Sequence, residues 1–198
     1  MIALGAAFEY VLAVLHRLEI PFLVGGSVAS STHGLPRQTN DIDIVADLTP
    51  SQVKDFCESL QPAFYVDPAV VAEAIELERP FNVIHLQGAY KFDIFPVGQD
   101  QFAQSELARR RYTTTTITGL ENVEFPVASP EDIILAKLSW FRQGGQISDR
   151  QWHDVLGVVQ IQAGRLDSAY LQQWAAELGV SGLLNRALLG QHFGPADL

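Results

Sequence analysis

The sequence predicts an α+β fold, a mixed sheet of about five strands with helices packed against it and further helices toward the C-terminus. Three observations lead there. Short apolar runs bounded by glycine, proline and asparagine alternate with segments of helical period up to about Val127. Two of those runs, 81–86 and 90–95, are joined by nothing longer than Gln87-Gly88-Ala89, which makes them a tightly connected strand pair. Beyond Val127 strand patterns give way to helical spacing. The expected division is therefore a sheet-bearing domain over 1–128 and a helical region over 129–198 packed on it.

Taken in order, residues 3–18 place Glu9, His16 and Arg17 among apolar residues at helical spacing and form the first helix. That stretch lacks a basic start and a cleavage site, so it reads as neither signal peptide nor membrane span. Phe22-Leu23-Val24 is a short strand running into Gly25-Gly26. Without a Cβ, those two residues let the backbone turn sharply and approach a ligand closely. Ser27 then opens a helix as its N-cap, and helix N-termini offer free N–H groups and a positive dipole end to anions. Gly34 and Pro36 stop this helix, and Arg37-Gln38-Thr39-Asn40 leads into a strand over 41–46.

One helix, carrying Phe56, Cys57 and Leu60, separates that strand from the strand pair. A helix over 101–110 and strands over 112–118 and 123–127 complete the domain; Thr113 to Thr116 favour a strand by propensity. Ser129 as N-cap, Pro130 at the first helical position and Glu131-Asp132 in the first turn start the next helix. Ile134, Leu138 and Phe141 form its buried stripe, and Gly144-Gly145 ends it. Ser148 with Gln151 is a capping box for another helix. Arg150 and Asp154 lie four apart on it, the spacing of an exposed ion pair. Amphipathic segments over 166–178 and 181–191 close the domain, and the tail over 193–198 is expected to be loose.

The chemistry concentrates at Gly25-Gly26-Ser27 and at Asp41-Ile42-Asp43-Ile44. Side chains alternate along a strand, so Asp41 and Asp43 share one face and Ile42 and Ile44 the other. Aspartate is depleted in strands, and two carboxylates one pleat apart repel unless a cation neutralises them. A hard divalent cation with oxygen ligands, itself bridging to phosphate, meets that need. The bland alternative is a Gly-Gly turn followed by two solvated aspartates. Asp93, acidic in the apolar run 90–95, either completes the carboxylate set or pairs with Lys91 on the same face. Lys137, beside the apolar stripe of its helix, either snorkels or aims its ammonium at a phosphate. Arg37 is a phosphate contact or a surface arginine.

The stretch GGSVASSTHGLPRQTNDIDIV resembles the signature of the DNA polymerase β-type nucleotidyltransferase superfamily: a Gly-Gly-Ser element, a short helix, then Asp-x-Asp bounded by apolar residues. Its HG-x-x-R-x-T-x-DIDI wording, and the PED-I-I-x-x-K-L wording at 130–138, are similar to the small bacterial branch, the minimal and AbiEii-like nucleotidyltransferases of toxin–antitoxin systems. The resemblance implies a nucleotidyltransferase fold and transfer of a nucleoside monophosphate from an NTP to an acceptor hydroxyl. It implies Asp41, Asp43 and Asp93 as catalytic and metal-holding residues, with Mg²⁺, or Mn²⁺ in its place, as cofactor. Gly25, Gly26, Ser27, Arg37 and Lys137 would bind the nucleotide. Implied partners are the NTP, an RNA (tRNA-like) or protein acceptor, and a cognate toxin or antitoxin. The alternative is a non-catalytic nucleotide- or partner-binding module that keeps the fold.

Composition narrows the rest. With 13 basic and 23 acidic side chains, the chain has a formal charge of -10 and lacks the basic surface that backbone binding of nucleic acid draws on. Arg109-Arg110-Arg111 is the one concentrated basic run, placed where cations also favour a helix C-terminus. Protein and small hydroxyl- or amine-bearing acceptors therefore stand beside RNA. One cysteine, Cys57, excludes an internal disulfide and fits a reducing, cytoplasmic setting; its neighbours make it a packing thiol. The five histidines show no zinc spacing, and His33 reads as an end-of-helix residue.

Overall fold

A computed structural model describes residues 4–39, 41–115, 117, 119–121 and 123–191. The chain divides into two compact units, Met1–Val28 with Gln38–Ala128, and Ala29–Arg37 with Ser129–Leu198.

The first unit is built on a mixed sheet. Its strands are β1 (Phe22–Val24), β2 (Asp41–Ala46), β3 (Phe64–Tyr65), β4 (Phe81–His85), β5 (Lys91–Pro96), β6 (Arg111–Thr113) and β7 (Phe125–Val127), in the order β3-β4-β5-β2-β1-β7-β6. The β2–β5 and β1–β7 pairs are parallel and the others antiparallel. Among the described residues the sheet thus has seven strands rather than about five. Two-residue β3 is too short for alternation to register in the sequence, and it exists because β4 offers a partner, with Phe64 opposite His85.

One face of the sheet is closed by hydrophobic burial. Ile42, Ile44, Phe92 and Ile94 on β2 and β5 are buried, as are Phe81 and Val83 on β4. Helix α1 (Leu4–Arg17) turns Phe8, Val11 and Leu15 inward, and Phe8 meets Phe125 edge-to-face at 5.3 Å. Helix α3 (Val53–Leu60) follows a 3₁₀ turn at Pro50–Gln52 and brings Phe56 against Phe81. Where one helix was expected between β2 and β4, a second, α4 (Pro68–Glu76), follows β3. Its start signal stands in the sequence: Asp67 accepts from the N–H groups of Ala69 and Val70, with Pro68 at the first position. Cys57 is fully buried, and burial, followed by the charge of Asp67, pushes its thiol up to about 11, as befits a packing residue.

Helix α2 (Gly26–His33) follows β1, and the unit boundary falls within it; α5 (Gln101–Arg109) sits between β5 and β6. The strand expected over 112–118 is shorter, Arg111–Thr113, and the rest of that segment includes residues outside those described. The tail 193–198 also lies outside them.

The second unit carries α6 (Pro130–Gln143), α7 (Asp149–Ile161), α8 (Ser168–Glu177) and α9 (Ser181–Leu188). The Ser129 and Ser148 caps form as the sequence requires, accepting from the N–H groups of Asp132 and Gln151. Fully buried Asp132 accepts from Ser129 Oγ at 2.6 Å and from Tyr170 Oη at 2.5 Å, which ties the start of α6 to α8. Phe141 packs on Trp152 at 5.4 Å between α6 and α7. Among the described residues no helix is long and apolar enough to cross a membrane.

Phe92 is fully buried on the closed face of the sheet, in contact with Phe64. Phe92→Ala is expected to lower unfolding free energy by about 3–5 kcal/mol, read from the shift in a urea unfolding curve.

Candidate active site

The parallel register of β2 and β5 sets the site. Asp43 lies directly opposite Asp93, and Asp41 opposite Lys91, so four charged side chains stand at the corners of one patch. Ile42 and Ile44 pair with Phe92 and Ile94 on the buried face, which forces all four charges onto the other. Adjacent strands run about 4.8 Å apart. Two unit charges at such a spacing repel by about 1 kcal/mol in water and about 4 kcal/mol at a partly shielded protein surface. An arrangement of three carboxylates therefore needs positive charge.

Lys91 supplies some of it. Its Nζ lies 2.8 Å from Asp93 Oδ2. The ammonium is held above its ordinary pKa first by that hydrogen bond, with burial opposing, and then by the charges of Asp93, Asp41 and Asp43. The other Asp93 oxygen accepts from Asn82 Nδ2 on β4, whose register places Asn82 opposite Asp93. Asn82 escaped the sequence reading, although strand alternation from Phe81 would have put it on this face. Asp93 thus takes the Lys91 partnership that the sequence offered as one of two readings.

Asp43 is set against glycine. Gly26 has a φ of +51°, and a Cβ built there would coincide with Asp43 Oδ2. The N–H of Gly25 donates to the Asp43 carbonyl at 2.9 Å. The two glycines and the second aspartate of Asp-x-Asp therefore meet as a unit. Helix α2 begins at Gly26, which puts Ser27 in its first turn rather than ahead of it.

The donors suit a hard divalent cation: carboxylate oxygens on neighbouring strands, on one face, beside a helix N-terminus. As arranged here, with Asp93 turned to Lys91 and Asn82, no three acidic, histidine or cysteine side chains among the described residues gather into a ligand group.

The remaining predicted residues sit in the second unit. Arg37 donates through Nε to Asp154 Oδ1 at 2.8 Å and through Nη2 to Oδ2 at 2.9 Å. Lys137 Nζ lies 2.8 Å from the same Oδ2. Asp154 is thus bound to two cations and is buried, with 8% of its side chain exposed, in place of the surface pair with Arg150 that spacing suggested. Lys137 does not snorkel, since its side chain is 9% exposed. Burial is the largest influence on Asp154 and raises its pKa, but hydrogen bonds and charges from Arg37 and Lys137 outweigh it and hold the carboxyl below its ordinary range. His33 ends α2, and its carbonyl accepts from Gln162 Nε2 at 2.7 Å. Arg110 Nη1 donates to the Leu107 carbonyl at the end of α5, the structural role open to that basic run.

Solved structures match this architecture. The lincosamide antibiotic adenylyltransferase LnuA, bound to lincomycin, superimposes with a TM-score of 0.52 at 15% identity, covering 80% of this chain and 98% of that one. This is a nucleotidyltransferase fold. A nucleotidyltransferase-like antigenic protein from Paracoccidioides brasiliensis shares it at 19% identity and a TM-score of 0.52, over 98% of this chain and 96% of its own. So does ANT(2'')-Ia in complex with adenylyl-2''-tobramycin, at 13% identity and 0.51, over 88% and 96%. No protein-family model matches the chain, and neither does any curated protein. These similarities establish the nucleotidyltransferase fold for this chain.

Two outcomes test the geometry. Gly26→Ala forces a Cβ into the Asp43 carboxylate at a left-handed φ and should cost at least about 1–2 kcal/mol of stability, measured by chemical denaturation. Asp154→Asn leaves two largely buried cations without their carboxylate and should cost about 3 kcal/mol near pH 7. Because the folded-state pKa of Asp154 is depressed, its contribution is full above the unfolded value of about 3.9 and is lost as pH falls through the lower folded value. The stability gap between wild type and variant should accordingly shrink below about pH 4.

Proposed function

We propose that this protein is a divalent-metal-dependent nucleotidyltransferase that moves a nucleoside monophosphate from an NTP to an acceptor hydroxyl. The observation that carries the reading is the register of Asp43 against Asp93 with Asp41 one pleat away, on a nucleotidyltransferase fold and beside Gly25-Gly26. Asp41, Asp43 and Asp93 would hold Mg²⁺, or Mn²⁺ in its place. When bound, the metal lowers the pKa of the attacking hydroxyl and neutralises charge on the transferring phosphate.

The chain's own groups do the rest. The backbone N–H of Gly26, with the Ser27 hydroxyl, orients the triphosphate at the start of α2, while the N–H of Gly25 holds the turn against the Asp43 carbonyl. Asp93 accepts the proton of the acceptor hydroxyl as its oxygen bonds to the α-phosphorus. The bond between the α-phosphorus and the bridging oxygen breaks, and that oxygen leaves with pyrophosphate. We assign Arg37 and Lys137 to the nucleotide as phosphate-binding cations, oriented by their shared carboxylate Asp154.

For the acceptor, the formal charge of -10 favours a small hydroxyl-bearing molecule or a protein over an RNA backbone. The wording shared with the AbiEii-like branch supports a toxin–antitoxin setting, in which the acceptor is a tRNA-like RNA or a partner protein. One observation favours a second reading, a non-catalytic nucleotide- or partner-binding module: both Asp93 oxygens are engaged, by Lys91 and Asn82.

Incubation with each α-labelled NTP, Mg²⁺ or Mn²⁺, and separated RNA, protein and small-molecule fractions decides between them. The expected outcome is label transferred to one fraction and lost by at least about a hundredfold in Asp43→Asn, since its carboxylate would hold the metal that neutralises the transferring phosphate. NTP binding without transfer in any fraction would favour the binding module. Absence of any metal–NTP binding would remove the enzyme and the nucleotide-binding module, leaving only a partner-binding module.

A further inference from the structure

We propose that Lys91 is a resident counter-ion of the carboxylate face, an ammonium that keeps Asp93 beside Asp43 until a divalent cation replaces it. The inference rests on the metal-holding role given to the three aspartates above.

Three features of the geometry point to exchange rather than to an ordinary surface ion pair. Lys91 stands on the same face as the three carboxylates, opposite Asp41 and two residues from Asp93, so its stem starts inside the patch it neutralises. Its ammonium lies at hydrogen-bonding distance from an oxygen that the metal would need, Asp93 Oδ2. The two partners also differ in freedom, since the Asp93 side chain is 16% exposed and that of Lys91 39%. Asp93 is held in place, while Lys91 has solvent to swing into. A long, flexible side chain tethered beside a fixed carboxylate is the arrangement in which one cation can yield to another without moving the backbone. Asn82, by contrast, is neutral and donates to the second oxygen, so it positions Asp93 without adding charge.

Exchange and a plain structural pair make opposite predictions for the metal-free and metal-bound protein. If Lys91 merely staples β5, its removal weakens the fold equally in both states. If it substitutes for the metal, its removal matters only while the metal is absent, because the carboxylates then repel without the ammonium beside them.

The experiment compares wild type, Lys91→Met and Lys91→Arg after exhaustive EDTA dialysis, with thermal melting and Mn²⁺ binding as readouts. Binding is followed by the electron paramagnetic resonance signal of free Mn²⁺, with and without a non-hydrolysable NTP analogue. Lys91→Met should melt about 2–5 °C lower than wild type without metal and at the same temperature in saturating Mn²⁺. It should also bind Mn²⁺ about three- to tenfold more tightly, because no ammonium has to be displaced. Lys91→Arg, which keeps the charge, should melt like wild type without metal. Should Lys91→Met prove insoluble without metal, recovery of the folded protein on adding Mn²⁺ supports exchange, and failure to recover overturns it. An equal loss of melting temperature with and without Mn²⁺, or Mn²⁺ affinity unchanged from a wild type that does bind, overturns the counter-ion role and leaves the nucleotidyltransferase reading standing. Failure of wild type and variants alike to bind Mn²⁺, with or without the analogue, removes both.

Discussion

Like-charge repulsion between neighbouring strands is the constraint around which this molecule is arranged. Carboxylates at Asp43 and Asp93 face each other across a parallel pair, with Asp41 one pleat away. Nothing local favours that pattern, since aspartate fits strands poorly and like charges opposite one another destabilise them. What holds it is the other side of the sheet. Ile42, Ile44, Phe92 and Ile94 are buried there, and a slip of one residue in either strand would expose them. Hydrophobic burial thus fixes the register, and the register brings the acids together. The charged face is a dependent of the core, which explains how so unfavourable a cluster persists in a folded chain.

The second unit solves the mirror-image problem. Arg37 and Lys137 are two cations sharing one buried carboxylate. Asp154 manages this because both of its oxygens are used, bidentate toward Arg37 and again toward Lys137. Its depressed pKa follows from that geometry, against the upward push of burial. A planar guanidinium held at two points is fixed in orientation, as is an ammonium largely shut away from solvent. Both cations are thus held in place and cannot reorganise freely as solvated lysines do.

Much of this was legible in the sequence, and the limits have physical causes. Alternation in Asp41-Ile42-Asp43-Ile44 was enough to place both aspartates on one face, and the helix caps at Ser129 and Ser148 read directly because capping is a local interaction. The strand pair at 81–95 was visible for the same reason. Strand β3 was not, because two residues carry no period and its pairing with β4 is a long-range event. Asp154 was misplaced because spacing reveals neighbours on one helix, here Arg150, but not a loop arginine more than a hundred residues earlier in the chain. Asn82 was overlooked although alternation marked its face, since a neutral amide in a strand gives no charge signal. Asp93 was recognised but its partner was left open, and only the cross-strand register shows that Lys91 belongs to the same patch as Asp41.

The Lys91–Asp93 pair bears most directly on whether the site is active or relic. A carboxylate bound by lysine can be read as retired from metal chemistry, and the strength of the bond decides whether that follows. A pair with a partly exposed lysine contributes at most about 1 kcal/mol, because water competes for both partners. A divalent cation held by these carboxylates would carry twice the charge of that ammonium. The pair is therefore weak enough to be displaced, and together with Asn82 it restrains Asp93 until then. Three aspartates, a lysine placed to neutralise them and a glycine whose missing Cβ makes room for Asp43 thus form one face whose charge the chain balances in part from within.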